Sequence, residues 1–296
     1  MDLPLAQPAT PPFFQLQAAS PNASRAYEGE PIQVAGDEWV QSRLYPSGEF
    51  ECEWKNWLVL RADRDGRTIR YSFDHQADRQ AFEAHIANFA ASMSLLLQGE
   101  ETLHSTVVWF NGRGIGLLGP SGAGKSTFAA HLISQGAELV TDDLLRITST
   151  EKNFYAEPGP SRIKLFAHTA DRHFAKSWPS GKWNPLSEKY LFPTVGHSGT
   201  PIRRPLDALL FLSFPEKSEP EEVSMSQMRG LEVFQKIAGS TMFPSFSVSE
   251  RLSRQFAFAK HIAQILPVYK LTYPRRDDIF PDVLSLLERN IEFVCA

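Results

Sequence analysis

The run Gly119-Pro120-Ser121-Gly122-Ala123-Gly124-Lys125-Ser126 fits the pattern G-x-x-x-x-G-K-[ST], and it restricts the fold of this chain more than any other feature. A strand-like stretch, Ile115 to Leu118, leads into it. A helical stretch from Thr127 to Gln135, with Phe128 and Leu132 four apart, leaves it, and Gly136 is placed to end that helix. Glycines are needed at such a turn because backbone N–H groups must wrap a phosphate closely, while the start of the helix adds partial positive charge. Gly119, Pro120, Ser121, Gly122, Ala123, Gly124, Lys125, Ser126 and Thr127 are therefore expected to form a phosphate-binding loop. In it Lys125 bridges the β- and γ-phosphates and the Ser126 hydroxyl ligates Mg²⁺. A strand-loop-helix unit of this kind needs a sheet with helices packed on it, so the expected class is α/β.

Many nucleotide-binding classes share such a loop, and a second acidic motif narrows the choice. Asp142 and Asp143 follow the β-prone run Glu138 to Thr141, only seventeen residues after Lys125. One carboxylate can bind Mg²⁺, directly or through water, while the other accepts a proton from an attacking hydroxyl. Transport ATPases carry their acidic strand much farther along, after an L-S-G-G-Q segment that this sequence lacks.

Composition removes other classes. With 296 residues, 42% hydrophobic and 22% charged, the chain can bury a full core as one large domain or two modest ones. A formal net charge of -4 argues against nucleic acid as partner. Cys52 and Cys295 are too few for a disulfide framework or a Cys-rich metal site, which suits a reducing cytoplasm. No stretch approaches the roughly 18 consecutive apolar residues of a membrane span, so no membrane partner is expected.

Residues 1–25 are broken by Pro4, Pro8, Pro11 and Pro12, lack Lys or Arg before Arg25, and read as a flexible arm rather than a signal peptide. Residues 26–100 read as a small β-rich α+β module. Ile32 to Val34, Phe50 to Trp54 and Trp57 to Leu60 are its strands, and a helix from Gln76 to Gln98 carries Phe82, Ile86, Phe89 and Met93 on one stripe. Residues 101–296 hold the nucleotide motifs. There Asn111-Gly112 predicts a hairpin between Thr106 to Phe110 and Ile115 to Leu118. Ala208 to Leu212 and Val268 to Tyr273 read as strands, Phe256 to Ile265 and Ile279 to Ile291 as helices. Prolines at 158, 160, 179, 185, 193, 201 and 205 predict long loops between them, of the sort that build or cover a site.

These motifs together resemble the C-terminal domain of HPr kinase/phosphorylase and its HPr-kinase-related branch. The likeness rests on Leu103-His104-Ser105, on Gly112 to Leu118, on the loop Gly119 to Thr127 and on Val140-Thr141-Asp142-Asp143. Weaker echoes follow in Glu157 to Leu165, Glu188-Lys189-Tyr190, Pro205 to Ala208 and Pro267 to Leu271, so it spans about residues 103 to 290. The resemblance implies a P-loop phosphoenolpyruvate-carboxykinase-like kinase domain, with Asp142 as catalytic base, Asp143 as metal ligand and His104 close to the phosphates. The glycine-rich signature that bifunctional HPr enzymes carry after the acidic motif is missing, so HPr as substrate and the phosphorylase reaction are not carried over. Lasso-peptide kinases are similar, which points to a peptide serine as acceptor.

Arg162 and Lys164 alternate on an extended segment and are candidates to face the γ-phosphate or acceptor. Lys189, Trp178 and Trp183 are candidates to grip the acceptor. The expectation is thus a cytoplasmic, Mg²⁺-dependent kinase using ATP, with GTP the alternative donor. Its acceptor would be a hydroxyl on a peptide, protein or small molecule, and a homo-oligomer is compatible with the sequence. Its rivals are a small-molecule hydroxyl kinase and a nucleotide-dependent binding protein without catalysis.

Overall fold

The computed structural model describes residues 13–19, 29–73, 79–150, 153–174, 181–184, 187–194, 202–215, 222–244 and 246–291. The N-terminal part builds one six-stranded sheet from β1 (Gln15–Ala18), β2 (Gln33–Gly36), β3 (Val40–Leu44), β4 (Phe50–Trp54), β5 (Leu58–Ala62) and β6 (Thr68–Phe73). β2 to β6 form an antiparallel meander. Period-two alternation decides its inner face: Leu58, Leu60 and Ala62 are buried while Arg61 turns to the opposite side. α1 (Arg79–Leu97) covers that face through Ile86, Ala90, Met93 and Leu96. The expected arm is corrected at β1, which pairs parallel to β6 with Gln15 opposite Thr68. Its backbone groups fill the hydrogen-bonding edge that β6 would otherwise expose, a gain that residue type does not reveal.

The remainder begins with β7 (Thr102–Leu103), β8 (Thr106–Phe110), β9 (Arg113–Leu118), α2 (Lys125–Ser134) and β10 (Glu138–Thr141). β11 (Leu145–Ser149), β12 (Phe154–Ala156), β13 (Arg162–Leu165), α3 (Ala167–Phe174), β14 (Lys182–Asn184), β15 (Lys189–Pro193) and β16 (Arg204–Leu206) follow. The chain closes with β17 (Ala208–Ser213), β18 (Ser224–Gln227), α4 (Leu231–Gly239), α5 (Ser249–Ile265), β19 (Val268–Thr272) and α6 (Phe280–Asn290). The β8–β9 hairpin turns at Asn111 and Gly112 with φ of 47° and 77°, the positive pair such a turn demands.

The central sheet has the order β10-β8-β9-β17-β19-β18. β9, β17 and β19 run parallel, flanked by antiparallel β8 and β18, so the architecture is mixed α/β. The parallel centre is covered on both faces, which explains the unbroken apolar run of β17. α2, α3 and α6 pack on one face through Phe128, Ala170 and Val283, while α4 and α5 pack on the other through Val233, Ile237 and Ile262.

Phe243 and Phe246, between α4 and α5, insert into the core of the N-terminal sheet and meet Phe50 edge-on at 5.4 and 4.8 Å. Arg251, 1% exposed, fixes that turn by donating to the carbonyls of Met242 and Phe246 while it pairs with buried Glu101. The core thus runs across the boundary expected at residue 100. The long loops expected from Pro158 to Pro205 are also corrected, since the stretch holds α3, β16 and a sheet of order β13-β15-β14. Two of its prolines sit within strands without breaking them: Pro193 ends β15, and Pro205 lies in β16, an edge strand.

Candidate active site

Because β8 runs opposite to β9 and β10, its first residues share one sheet edge with the ends of those strands; Thr106 stands opposite Leu117 and Val107 opposite Thr141. The glycine loop, His104 and the Asp142–Asp143 pair therefore meet at that edge, although β8 separates the two strands that deliver loop and carboxylates. An open cleft lies there, walled by the loop from Ser121 to Thr127, His104, Asp143, Lys164, Leu165, Phe166 and Lys189.

The loop has the shape of an anion cradle. Gly119, Gly122 and Gly124 have φ of 141°, 80° and 88°, and a Cβ on Gly122 would meet nothing within 4 Å, so that backbone faces open space. α2 starts directly at Lys125 with no side-chain cap on its first turn, which leaves its leading amides for a ligand. Lys125 is buried, and its Nζ donates to the carbonyl of Gly119 at 2.8 Å and of Pro120 at 3.3 Å. Burial lowers its pKa, against the pull of the Asp143 and Asp142 charges.

The two carboxylates are not equivalent. Asp142 is buried with both oxygens engaged: Thr106 Oγ1 donates to Oδ1 at 2.7 Å and the Lys164 amide to Oδ2 at 3.0 Å. Burial, and then the charge of Asp143, raise its pKa. Asp143 turns the other way because its backbone is left-handed, with φ of 68°. It faces the cleft, where Lys164 Nζ donates to Oδ2 and His104 Nε2 lies 3.7 Å from Oδ1. Burial pushes its carboxyl up, but the Lys164 ammonium and His104 hold it well below the usual carboxylate range.

β13 supplies Lys164 because Gly159 lets the chain lie against β10. Its N–H donates to the Val140 carbonyl at 2.9 Å, and a Cβ there would fall 2.1 Å from Thr141 Oγ1. β15 supplies Lys189, whose Nζ sits 4.9 Å from the centre of the Phe166 ring.

Of the expected site residues, the structure brings Ser121 to Thr127, His104, Asp143, Lys164 and Lys189 onto one cleft. Gly119 and Pro120 form the base of the loop and hold Lys125. Asp142 stands behind the wall, and Arg162 opens β13 opposite Pro193, outside the residues that line the cleft. Trp183 is 46% exposed on β14, packed edge-on against Tyr190, and is not in the cleft wall either. Trp178 lies outside the described residues. Sequence reasoning missed Thr106, Gly159, Phe166 and Asn88, whose side chain reaches Asp143 from α1. None of them stands in a spaced motif; Gly159 between two prolines is the one visible signal.

Comparison with known proteins gives one concordant region. Residues 96–167 match the family model described as HPr Serine kinase C-terminal domain. A curated HPr kinase/phosphorylase of Peptoclostridium acidaminophilum is 35% identical over 72 residues, which is 24% of this chain and 23% of that protein. This chain thus matches about a quarter of the relative's length. A solved structure, the Hpr(Ser) kinase/phosphatase from Coxiella burnetii, aligns with a TM-score of 0.36 and 15% identity over 64% of this chain and 88% of that one. The similarity to the HPr-kinase family is thus confined to the segment that carries the loop and both aspartates.

Proposed function

We propose that this chain is a Mg²⁺- and ATP-dependent phosphotransferase that moves the γ-phosphate to a hydroxyl, with serine of a peptide or protein as acceptor. The observation that carries the reading is the convergence of an uncapped helix start, Lys125, Asp143 and Lys164 on one open cleft. Relationship to the HPr kinases and the strand-loop-helix unit at the end of β9 support the phosphoenolpyruvate-carboxykinase-like nucleotide fold as the frame. Among the described residues no helix is long and apolar enough to cross a membrane, and the buried thiol of Cys52 suits the cytoplasm.

The donor set fits Mg²⁺. Among the described residues no cluster of three or more His, Cys, Asp or Glu could hold a metal. Mg²⁺ is bound at phosphoryl-transfer sites through one or two protein oxygens with phosphates and water, and Ser126 and Asp143 offer those two oxygens on the cleft. The ion would supply charge neutralisation to the phosphates. Lys125, which holds the Gly119 carbonyl, would bind the β- and γ-phosphates, and Lys164 and Lys189, on the same cleft, would add positive charge toward that anion.

With Asp143 on the metal side and Asp142 enclosed by Thr106 and the Lys164 amide, His104 is the remaining cleft side chain placed to take the hydroxyl proton. This departs from the expectation that Asp142 is the base. The testing experiment is calorimetric titration with Mg-ADP of the wild type and Lys125→Ala, followed by mass spectrometry of candidate peptides incubated with Mg-ATP. Lys125→Ala is expected to weaken binding and to lower transfer about 10²- to 10³-fold. Equal binding and turnover by both proteins would remove the cleft as the nucleotide site.

A further inference from the structure

Asn88 lies on α1, the helix that closes the N-terminal sheet, yet it is 5% exposed and its amide faces the nucleotide cleft's acidic pair. Nδ2 approaches Asp143 Oδ2 at 3.5 Å, the same oxygen that accepts from Lys164. Oδ1 is buried with no hydrogen-bond partner. A flipped amide would set Oδ1 against the ionised carboxylate, so charge fixes which end faces Asp143 and leaves the carbonyl end orphaned. A buried amide oxygen without a donor is destabilising, and a leucine of similar size would avoid it. An asparagine held in that position against its own stability points to a role in the site.

We infer that Asn88 is a positioning residue for Asp143, which makes the helix of the N-terminal module part of the active centre. Asp143 is held in a left-handed backbone conformation that a non-glycine residue adopts at a cost. Lys164 and Asn88 both reach its Oδ2 and His104 lies beside its Oδ1, so three side chains fix the carboxylate on the cleft that Ser126 also lines. When phosphate draws Lys164 away, the Asn88 amide remains as a neutral donor that keeps Asp143 in place without competing for phosphate. A 3.5 Å contact is long, and contacts of this kind tighten when a site fills. This inference rests on the phosphotransferase reading.

The test uses the full chain, with ADP as probe. Asn88→Leu removes the donor and the orphaned oxygen together. It should melt at or above the wild-type temperature, bind Mg²⁺-free ADP as the wild type does, and lose about 10- to 100-fold of the affinity gained on adding Mg²⁺. Asn88→Ser, which keeps a short donor, should recover part of that gain and serves if the leucine variant does not fold. A residue with a merely structural role would give the opposite pattern, with a lower melting temperature and an unchanged Mg²⁺ gain in both variants, and that result overturns the inference. If wild type and Lys125→Ala bind ADP equally, the parent reading fails first and this one with it.

Discussion

Gly159→Ala perturbs the point where the site is hung on the sheet. The added methyl would lie 2.1 Å from Thr141 Oγ1, 2.9 Å from its Cβ and 3.3 Å from its Cα. Carbon contacts settle near 3.5–4.0 Å, so the Pro158–Pro160 segment must retreat by on the order of 1 Å. Two hydrogen bonds stand in the way of that movement: Gly159 N–H to the Val140 carbonyl at 2.9 Å, and Lys164 N–H to Asp142 at 3.0 Å. Overpacking costs about 1–3 kcal/mol, and loss of a hydrogen bond to a charged group about 1.5–3 kcal/mol. A destabilisation of about 3–5 kcal/mol is expected, read as a lower urea midpoint with unchanged slope. Thr141→Ala deletes the closest atom, so in that background Gly159→Ala should cost at least about 1 kcal/mol less, a coupling that a double-mutant cycle isolates. A single variant within about 0.5 kcal/mol of wild type, or a cycle without coupling, would refute the claim that close approach at Gly159 positions β13.

Asp142→Asn can keep its oxygen on the Lys164 amide and donate its NH₂ to the Thr106 hydroxyl, which can also accept, so stability should change by less than about 1 kcal/mol in urea unfolding while Mg-ADP binding is retained. His104→Gln should keep stability and lower phosphoryl transfer about 10²-fold or more; abolished transfer in Asp142→Asn with normal transfer in His104→Gln would return the base to Asp142. Arg251→Met leaves Glu101 buried and unpaired, so a loss of about 3–5 kcal/mol is expected, smaller when Glu101→Gln is added; strictly additive effects would count against the ion pair as the cause. His131 and His173 pack edge-on at 5.4 Å, and burial lowers both pKa values, that of His173 to about 4. The unfolded chain then binds more protons than the fold between about pH 6.5 and 4, so stability should fall as pH drops through that window. Replacing both by glutamine should flatten the urea midpoint there, and an unchanged slope would exclude them as the source.

What was legible in the sequence is what local chemistry dictates. The loop from Gly119 to Thr127, the hairpin at Asn111-Gly112 and the strand ending at Asp142 depend on glycine conformations, positive φ values and fixed short spacings, which a sequence records directly. β17, β19 and α6 were legible from apolar runs and periodicity because those elements are buried in regular layers. The difference between Asp142 and Asp143 was not. Neighbouring residues of one type diverge only because Thr106 and the Lys164 amide enclose the first, while a left-handed turn sends the second into the cleft. β1 and the sheet β13-β15-β14 were missed for a related reason, since backbone pairing with distant strands stabilises segments whose own residues read as arm or loop. Asn88 marks the limit: it lies 55 residues before Asp143, and only the packing of α1 against the nucleotide half decides that an asparagine in an ordinary helix meets a carboxylate of the site.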